Sequence, residues 1–567
     1  MSLSSRVKIL TALFLLIFAA LVVRLFFWQI IKGKVLSAQA RGQYEVGVTL
    51  SAPRGNILAS DGTWLAARES GWLVFASMPD LKESHTSVAE KLSHLLVEEE
   101  EVSGEVDRIK GLLPKEGAVW IPLKHKVKEE AKKNIEALGI DGIGFELEEM
   151  RSYPEASAAA QLLGFVGKNL EGADTGYFGL EGYYDLALSG KPGYQSGEED
   201  ARGVPILLDD NKGVSAIGGV DLVTHIDKGL QILSEKKLKE GIERYGAKAG
   251  SVIISNPKTG AILASVSYPS YEPGKYYDYG NEFFKDPVIA NSFEPGSVFK
   301  VLVMAAALDA GAVEPDTVCD ICSGPLKVDK YTIETWNKEY RADSTMVDVI
   351  VHSDNVGMSF VGQKLGADAL YDYLDAFGIG KVTGIDLQGE GAPKLRERGT
   401  WNVVDLAVAS FGQGIAVTPI QMVKAVGAIA NGGVMYTPQV VDKLEGVGWE
   451  EDVKPEEGTR VISKKAADEI TSMMVLAASS GEAKWTHLRG FKVAGKTGTA
   501  QIPISGHYDQ ESTIASFVGF APADDPKFLM LVTLREPVSS PWASETAAPL
   551  WYQIAKDLFI YFGIQPE

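Results

Sequence analysis

Residues 9–31 (ILTALFLLIFAALVVRLFFWQII) form an apolar run that carries one charge, Arg24. At about 1.5 Å per residue, a helix of this length crosses the roughly 30 Å hydrocarbon core of a bilayer. A secretory leader is the competing reading. The run is longer than a leader's apolar region, and no small-residue cleavage site clearly follows it. An uncleaved anchor is therefore expected. Arg24 can snorkel outward, and Trp28 suits the membrane interface. Arg6 and Lys8 ahead of the span favour a cytoplasmic N-terminus, while Lys32 and Lys34 on the far side act against it. The expected topology is a single pass through the cell (cytoplasmic) membrane, with the bulk of the chain outside the cytoplasm. No later segment is long and apolar enough for a second span.

The chemistry is concentrated in three short elements that follow in order. Ser-x-x-Lys occurs four times, at Ser5/Lys8, Ser234/Lys237, Ser255/Lys258 and Ser297/Lys300. Lys-Thr-Gly occurs twice, at Lys258 and Lys496. Context separates them. Ser5/Lys8 lies in the anchor's charged flank. Ser234/Lys237 lies in a polar helical stretch. Ser255/Lys258 flanks Asn-Pro-Lys-Thr-Gly between two β-rich runs, which is hairpin-turn chemistry. Ser297 instead follows Glu294-Pro295-Gly296 and opens the apolar segment VFKVLVMAAALDA, which stops at Gly311. Such a segment reads as a buried helix, too short to span a membrane. A serine in its first turn faces the positive end of the helix dipole, and a lysine three residues on shares its face. Burial disfavours the charged form of a lysine, so Lys300 could take the Ser297 proton.

Each element has a plainer explanation. Ser297 could be a helix cap with Lys300 snorkelling. Ser353-Asp354-Asn355, the only Ser-x-Asn in the chain, could be a turn or a cap. Lys496-Thr497-Gly498-Thr499 precedes the strand-like runs TIASFVGFA and FLMLVTLRE and could be a polar edge strand. All three plain readings would have to hold at once, in the order known for penicillin-binding proteins and class A β-lactamases.

The surroundings extend the likeness. Ala52-Pro53-Arg54-Gly55-Asn56-Ile57-Leu58, Arg151-Ser152-Tyr153-Pro154 with Gly164-Phe165-Val166-Gly167, and Gly179-Leu180-Glu181-Gly182 with Gly190-Lys191-Pro192-Gly193 resemble family blocks. So do Ser410-Phe411-Gly412-Gln413-Gly414 through Thr418-Pro419-Ile420-Gln421, and the C-terminal APLWYQIAKDLFIYFGIQPE. The chain thus resembles the class B penicillin-binding proteins, monofunctional peptidoglycan D,D-transpeptidases, over nearly its whole length. Two departures stand out. Ala59-Ser60-Asp61-Gly62 replaces the usual Asp-Arg-x-Gly, which bears on a salt bridge between pedestal and catalytic domain. Ser353-Asp354-Asn355 has Asp where many relatives have Ser.

The resemblance implies an α+β fold, a penicillin-binding/β-lactamase-like transpeptidase domain with a helical cluster on one side of an antiparallel sheet. The expected division is 1–32 for the cytoplasmic tip and anchor, 33–215 for a non-catalytic pedestal of dimerisation type, and 216–567 for the transpeptidase domain. Within the pedestal, charged helices are expected around 87–97 and 126–138, and the acidic run 98–101 as a solvated loop or helix end. By resemblance, Ser297 is the nucleophile, Lys300 the general base, Ser353 a proton shuttle and Asn355 an orienting residue. Lys496, Thr497, Gly498 and Thr499 form the carboxylate-binding strand, and the backbone N–H groups of Ser297 and Thr499 form the oxyanion hole. No metal or organic cofactor is called for. The implied partners are peptidoglycan stem peptides on lipid II-derived glycan, β-lactams as covalent inhibitors, and a SEDS-family glycosyltransferase with other divisome or elongasome membrane proteins. A septal role is favoured over elongation.

A net charge of −20 argues against nucleic acid as a partner. Cys319 and Cys322 are half a zinc site at most, so a local disulfide or two free thiols is expected. A β-lactamase would share the motifs, yet no Glu-x-x-Leu-Asn follows Asn355 to activate a deacylating water. The glycosyltransferase signature Glu-Asp-x-x-Phe-x-x-His of class A penicillin-binding proteins is missing too. A D,D-carboxypeptidase, which uses water as acceptor, shares every motif. A β-lactam sensor would need a cytoplasmic signalling part, and only a few residues precede the anchor.

Overall fold

The computed structural model describes the chain except for residues 1–2, 33–35, 37–44, 114–117, 200–204, 207–212, 456 and 505–506. Lys34 and the side chains of Arg6 and Lys8 lie outside what is described. Packing divides the chain into two units, residues 1–54 with 189–219, and residues 55–188 with 220–567.

The first unit holds the apolar helix Leu3–Phe26, continued by a π-helical turn, Phe27–Ile31. Residues 9–31 bury nothing against the protein. An apolar helix that serves no protein core suits lipid, where all its backbone groups are satisfied internally. Among the described residues it is the one helix long and apolar enough to cross a membrane. The same unit has a four-stranded antiparallel sheet of Glu45–Leu50, Gly193–Glu199, Gly213–Val214 and Pro205–Ile206.

The second unit is built on a five-stranded antiparallel sheet. Its strands are β1 (Ala249–Ser255), β2 (Ile262–Tyr268), β3 (Ala494–Ile504), β4 (His507–Ala521) and β5 (Phe528–Arg535), in the order β2-β1-β5-β4-β3. Successive side chains of a strand point to opposite faces. In β5, Phe528, Met530, Val532 and Leu534 join one core, and Leu529 and Leu531 join the other. The run FLMLVTL is therefore buried on both sides. Helices α1 (Lys228–Tyr245) and α5 (Ala547–Tyr561) cover the first face, with Leu238, Ile242, Trp551 and Leu558 in that core. The second face packs on a helical cluster that includes α2 (Lys300–Asp309), α3 (Asn355–Leu365) and α4 (Lys464–Ser480). The class is α+β as expected, but helices lie on both faces of the sheet and not on one. A strand apolar on both faces, unlike one that alternates, has no face to give to water.

The compact units do not break at residues 32 and 215. A second sheet runs from the early chain into the late chain. Ile57–Leu58 pairs in parallel with Asp221–Thr224, which pairs with Val441–Gly446. On its other side Ile57–Leu58 pairs with Trp64–Ser77, which carries Trp120–Val127 and Ile143–Ser152. The Asn56 N–H and Nδ2 both donate to the Asp221 carboxylate, at 2.6 and 3.2 Å. Asp61, in the departed motif, only closes a local turn onto Thr63. Arg151 of the Arg-x-Tyr-Pro block donates to Glu181 at 2.5 Å and to the Gly55 carbonyl at 2.6 Å. Three separately recognised blocks thus meet in one buried cluster.

Residues 74–140 form their own small core under the helices His85–Leu96, Val102–Leu112 and Glu129–Glu136. Two of these were expected. Val102–Leu112 was not, because Gly104 and Gly111 weaken the helical signal and Glu98–Glu101 reads as loop. The acidic run is a 3₁₀ turn, Glu99–Glu101, that leads into this helix. Cys319 and Cys322 are disulfide-bonded and fully buried, a local staple after α2.

Candidate active site

Ser297 sits in a 3₁₀ turn, Gly296–Phe299, that runs directly into α2. The sequence suggested the first turn of an α-helix. Gly296 has φ +56°, and a Cβ there would stand 3.0 Å from the Thr499 carbonyl, so glycine lets the turn lie against β3. The Gly296 N–H donates to the Gly412 carbonyl at 3.0 Å. The Ser-Phe-Gly-Gln-Gly block therefore underpins the serine turn.

Lys300 is fully buried on the same turn. Its Nζ donates to the Ser353 carbonyl at 2.6 Å and to Asn355 Oδ1 at 2.7 Å, with Ser353 Oγ 3.3 Å away. Ser353 has φ +56°, a left-handed conformation unusual for a side-chain-bearing residue. That conformation aims both its carbonyl and its hydroxyl at Lys300. Asp354 caps α3 by accepting from the N–H groups of Val356 and Gly357. The cap reading of this motif therefore holds for its middle residue alone. Serine caps as well as aspartate does, which explains why either can stand there. Asn355 is fixed from its far end, donating Nδ2 to the Glu334 carbonyl at 3.0 Å.

Lys496, on the edge strand β3, is also buried. Its Nζ donates to Ser353 Oγ at 2.9 Å and reaches the Thr497 carbonyl and Oγ1, each at 3.3 Å. Burial, and next the Lys496 ammonium, push Lys300 down to about 7, against the opposing pull of Glu482 and Asp354. Burial lowers Lys496 as well, opposed by Glu482. An ammonium has three N–H donors and a neutral amine has two. The carbonyl and amide oxygens at 2.6 and 2.7 Å can take both donors of a neutral Lys300. Its lone pair is then free to accept a proton.

Ser297, Ser353, Asn355, Thr497 and Thr499 line one cavity. Lys300 and Lys496 lie beneath it, hydrogen-bonded to Ser353, Asn355 and Thr497. Thr499 Oγ1 accepts from the Ala543 N–H at 3.0 Å, which leaves its own proton to donate. Gly498 packs behind. A Cβ there would meet Ser516 Oγ at 2.6 Å, Val298 Cγ1 at 2.8 Å and the Pro295 carbonyl at 2.9 Å. Gly498→Ala is expected to push β3 off the serine turn and slow acylation of Ser297 by roughly a hundredfold, since misplacement of about 1 Å costs that much. Stopped-flow labelling with a fluorescent penicillin checks it.

The cavity also contains residues that sequence motifs did not indicate, namely Trp336, Phe411, Gln413, Glu482 and Trp542. Trp336 and Trp542 pack ring to ring, with centroids 5.5 Å apart. Phe411 and Gln413 belong to the Ser-Phe-Gly-Gln-Gly block that underpins the serine turn. Glu482 follows α4 and accepts from Thr497 Oγ1 at 2.9 Å. The chain does place a glutamate in the cavity, though on the β3 side and far in sequence from Asn355.

Fold and cavity define an enzyme of the serine acyl-transfer class. Comparison with known proteins gives the family. The description "Penicillin binding protein transpeptidase domain" matches residues 250–556, and "Penicillin-binding Protein dimerisation domain" matches residues 49–224. Stage V sporulation protein D of Bacillus subtilis (strain 168) is 31% identical over 98% of this chain and 86% of its own. Peptidoglycan D,D-transpeptidase FtsI of Escherichia coli (strain K12) is 28% identical over 79% of this chain and 73% of its own. The crystal structure of penicillin binding protein 2X from Streptococcus thermophilus superposes with a TM-score of 0.74 at 25% identity, covering 92% of this chain and 80% of that one. This chain belongs to the penicillin-binding protein transpeptidase family, as a class B member.

Proposed function

We propose that this protein cross-links peptidoglycan stem peptides by two-step acyl transfer, with Ser297 as nucleophile. Ser297 Oγ attacks the carbonyl between the last two D-alanines while Lys300 takes its proton. The oxyanion is held by the backbone N–H groups of Ser297 and Thr499. The C–N bond breaks, and D-alanine leaves with a proton relayed through Ser353. An amine of a second stem peptide then attacks the acyl-enzyme, forms the cross-link and frees Ser297. Thr497 and Thr499 hold the donor's terminal carboxylate, with the Lys496 charge beneath them. The carrying observation is the buried Lys300, lowered to about 7, with carbonyl and amide acceptors at 2.6 and 2.7 Å beside the Ser297 cavity. β-Lactams, as mimics of the D-alanyl-D-alanine end, acylate the same serine.

By function the chain divides into an anchor (1–32), a non-catalytic pedestal (33–215) and a transpeptidase domain (216–567). The apolar helix supports a single pass with a cytoplasmic N-terminus and an extracytoplasmic catalytic domain. The similarity to proteins named FtsI and stage V sporulation protein D supports work at the division septum, beside a SEDS-family glycosyltransferase that supplies nascent glycan. The test is direct. Full-length protein in detergent, given glycan strands polymerised from lipid II, is expected to yield cross-linked dimers after muramidase digestion and mass spectrometry. Tetrapeptide monomers alone would mark a carboxypeptidase instead.

A further inference from the structure

Thr497 has one hydroxyl proton, and two carboxylates have a claim on it. A threonine hydroxyl is a single donor. In the structure that donor is committed to Glu482 Oε2 at 2.9 Å. Glu482 lines the same cavity as Ser297, Thr497 and Thr499. In the reaction above, Thr497 also holds the terminal carboxylate of the acyl donor. An arriving carboxylate therefore meets an occupied hydrogen-bond donor and a like charge in the same small space. Glu482 also reaches the two lysines electrostatically, opposing the loss of charge that burial imposes on Lys496 and Lys300. Part of the positive field under the carboxylate subsite is thus already answered from within the protein.

We propose that Glu482 is a specificity-determining residue that competes with the donor's terminal carboxylate for the Thr497 subsite, so that its charge weakens the cavity's preference for anionic donors over neutral ones. The inference rests on the assignment of Ser297 and Thr497 given above. Glu482 acts through Thr497 and through its charge, and no reacting atom needs to touch it. When an anionic donor binds, the Thr497 proton must turn from Glu482 to the ligand, and the two negative charges remain neighbours. A donor ending in a primary amide carries no charge to repel Glu482 and can offer it an N–H in place of the Thr497 proton. The inverse of this arrangement, a neutral side chain at 482, would remove the like charge from beside the ligand.

Glu482→Gln keeps an oxygen that can accept from Thr497 and removes the charge. Glu482→Ala removes both. The experiment uses full-length protein in detergent and two thioester acyl donors, identical except that one ends in a carboxylate and the other in a primary amide. Active sites are counted first with a fluorescent penicillin. Two unit charges about 6 Å apart in a protein-like dielectric imply that the ratio of carboxylate-donor to amide-donor acylation rates rises about tenfold or more in E482Q. Glu482→Ala is expected to raise the same ratio, since both variants lose the charge. An unchanged ratio in both variants overturns the inference. So does a variant that acylates normally and slows only the transfer to an amine, because Glu482 would then be a base on the acceptor side. If wild-type protein takes no penicillin label, the functional reading fails, and this inference fails with it. A labelled wild type with an unmoved ratio sinks the inference alone.

Discussion

Ser297→Ala is expected to lower covalent labelling by a fluorescent penicillin by at least about a thousandfold while the protein stays folded. The size follows from losing the attacking atom itself, for which remaining transition-state contacts cannot substitute. One other hydroxyl could in principle take over, that of Ser353. It is buried and held between Lys496 at 2.9 Å and Lys300 at 3.3 Å. A hydroxyl fixed by two lysines is placed to pass a proton and not to swing toward a carbonyl. The fold should tolerate the change. The turn carrying Ser297 has no side-chain cap to lose, and its course is set by the backbone bond from Gly296 to Gly412. The melting temperature should therefore move by no more than a degree or two, within the small effects usual away from packed or capping positions. Gel fluorescence against a protein stain, with thermal melting alongside, measures both halves. Strong labelling in a folded Ser297→Ala protein would put the nucleophile elsewhere.

Much of the catalytic layout was legible because it is local. Ser297 and Lys300 share a face within one helical turn, and burial of that helix follows from the eight consecutive apolar or alanine positions 301–308. The hairpin at Asn256-Pro257-Lys258-Thr259-Gly260 likewise follows from its own residues, and it excluded the first Lys-Thr-Gly. β1 and β2 flank that turn as expected. What could not be read is what arrives from a distance. Trp336 and Trp542 are about two hundred residues apart, the first ahead of the helix Met346–Val351 and the second between β5 and α5, and they meet only in the folded chain. Glu482 has no spacing relation to any motif, and its role depends on one hydrogen bond to Thr497. The compact units divide elsewhere than the expected domains for a related reason. Glycine-rich composition near 213–219 marks where the chain is loose, whereas the boundary of a compact unit depends on which strands pair. The parallel pairing of Leu222 with Ile57 is long-range, and composition carries no trace of it. The burial of both sheet faces, by contrast, is written in the uninterrupted apolar run 528–532, which leaves no face for water.

The rate of acylation should rise about tenfold per pH unit below about 7 and level off above it. A lysine with an ordinary value of 10.5 is neutral in only about one molecule in three thousand at pH 7. Lowered to about 7, Lys300 is neutral in about half. Burial, with the Lys496 charge, thus raises the population of competent base on the order of a thousandfold. The sign is fixed by which form works. Only neutral Lys300 can accept the Ser297 proton, so protonation at low pH removes the base and deprotonation at high pH restores it. Lys300→Arg, which stays cationic at every accessible pH, should lose acylation by at least about a thousandfold throughout. A pH profile alone cannot say which lysine is being titrated, but its neighbours can. The Lys496 charge pushes Lys300 down, whereas the Glu482 charge holds it up. Lys496→Ala should therefore move the inflection to higher pH, whatever it does to the plateau. Glu482→Gln should move it to lower pH. Opposite displacements from two substitutions on one strand-and-helix wall require the titrating group to feel both charges, and the buried base beside Ser353 is where they converge. If both variants moved the inflection the same way, or neither moved it, the proton acceptor would not be Lys300.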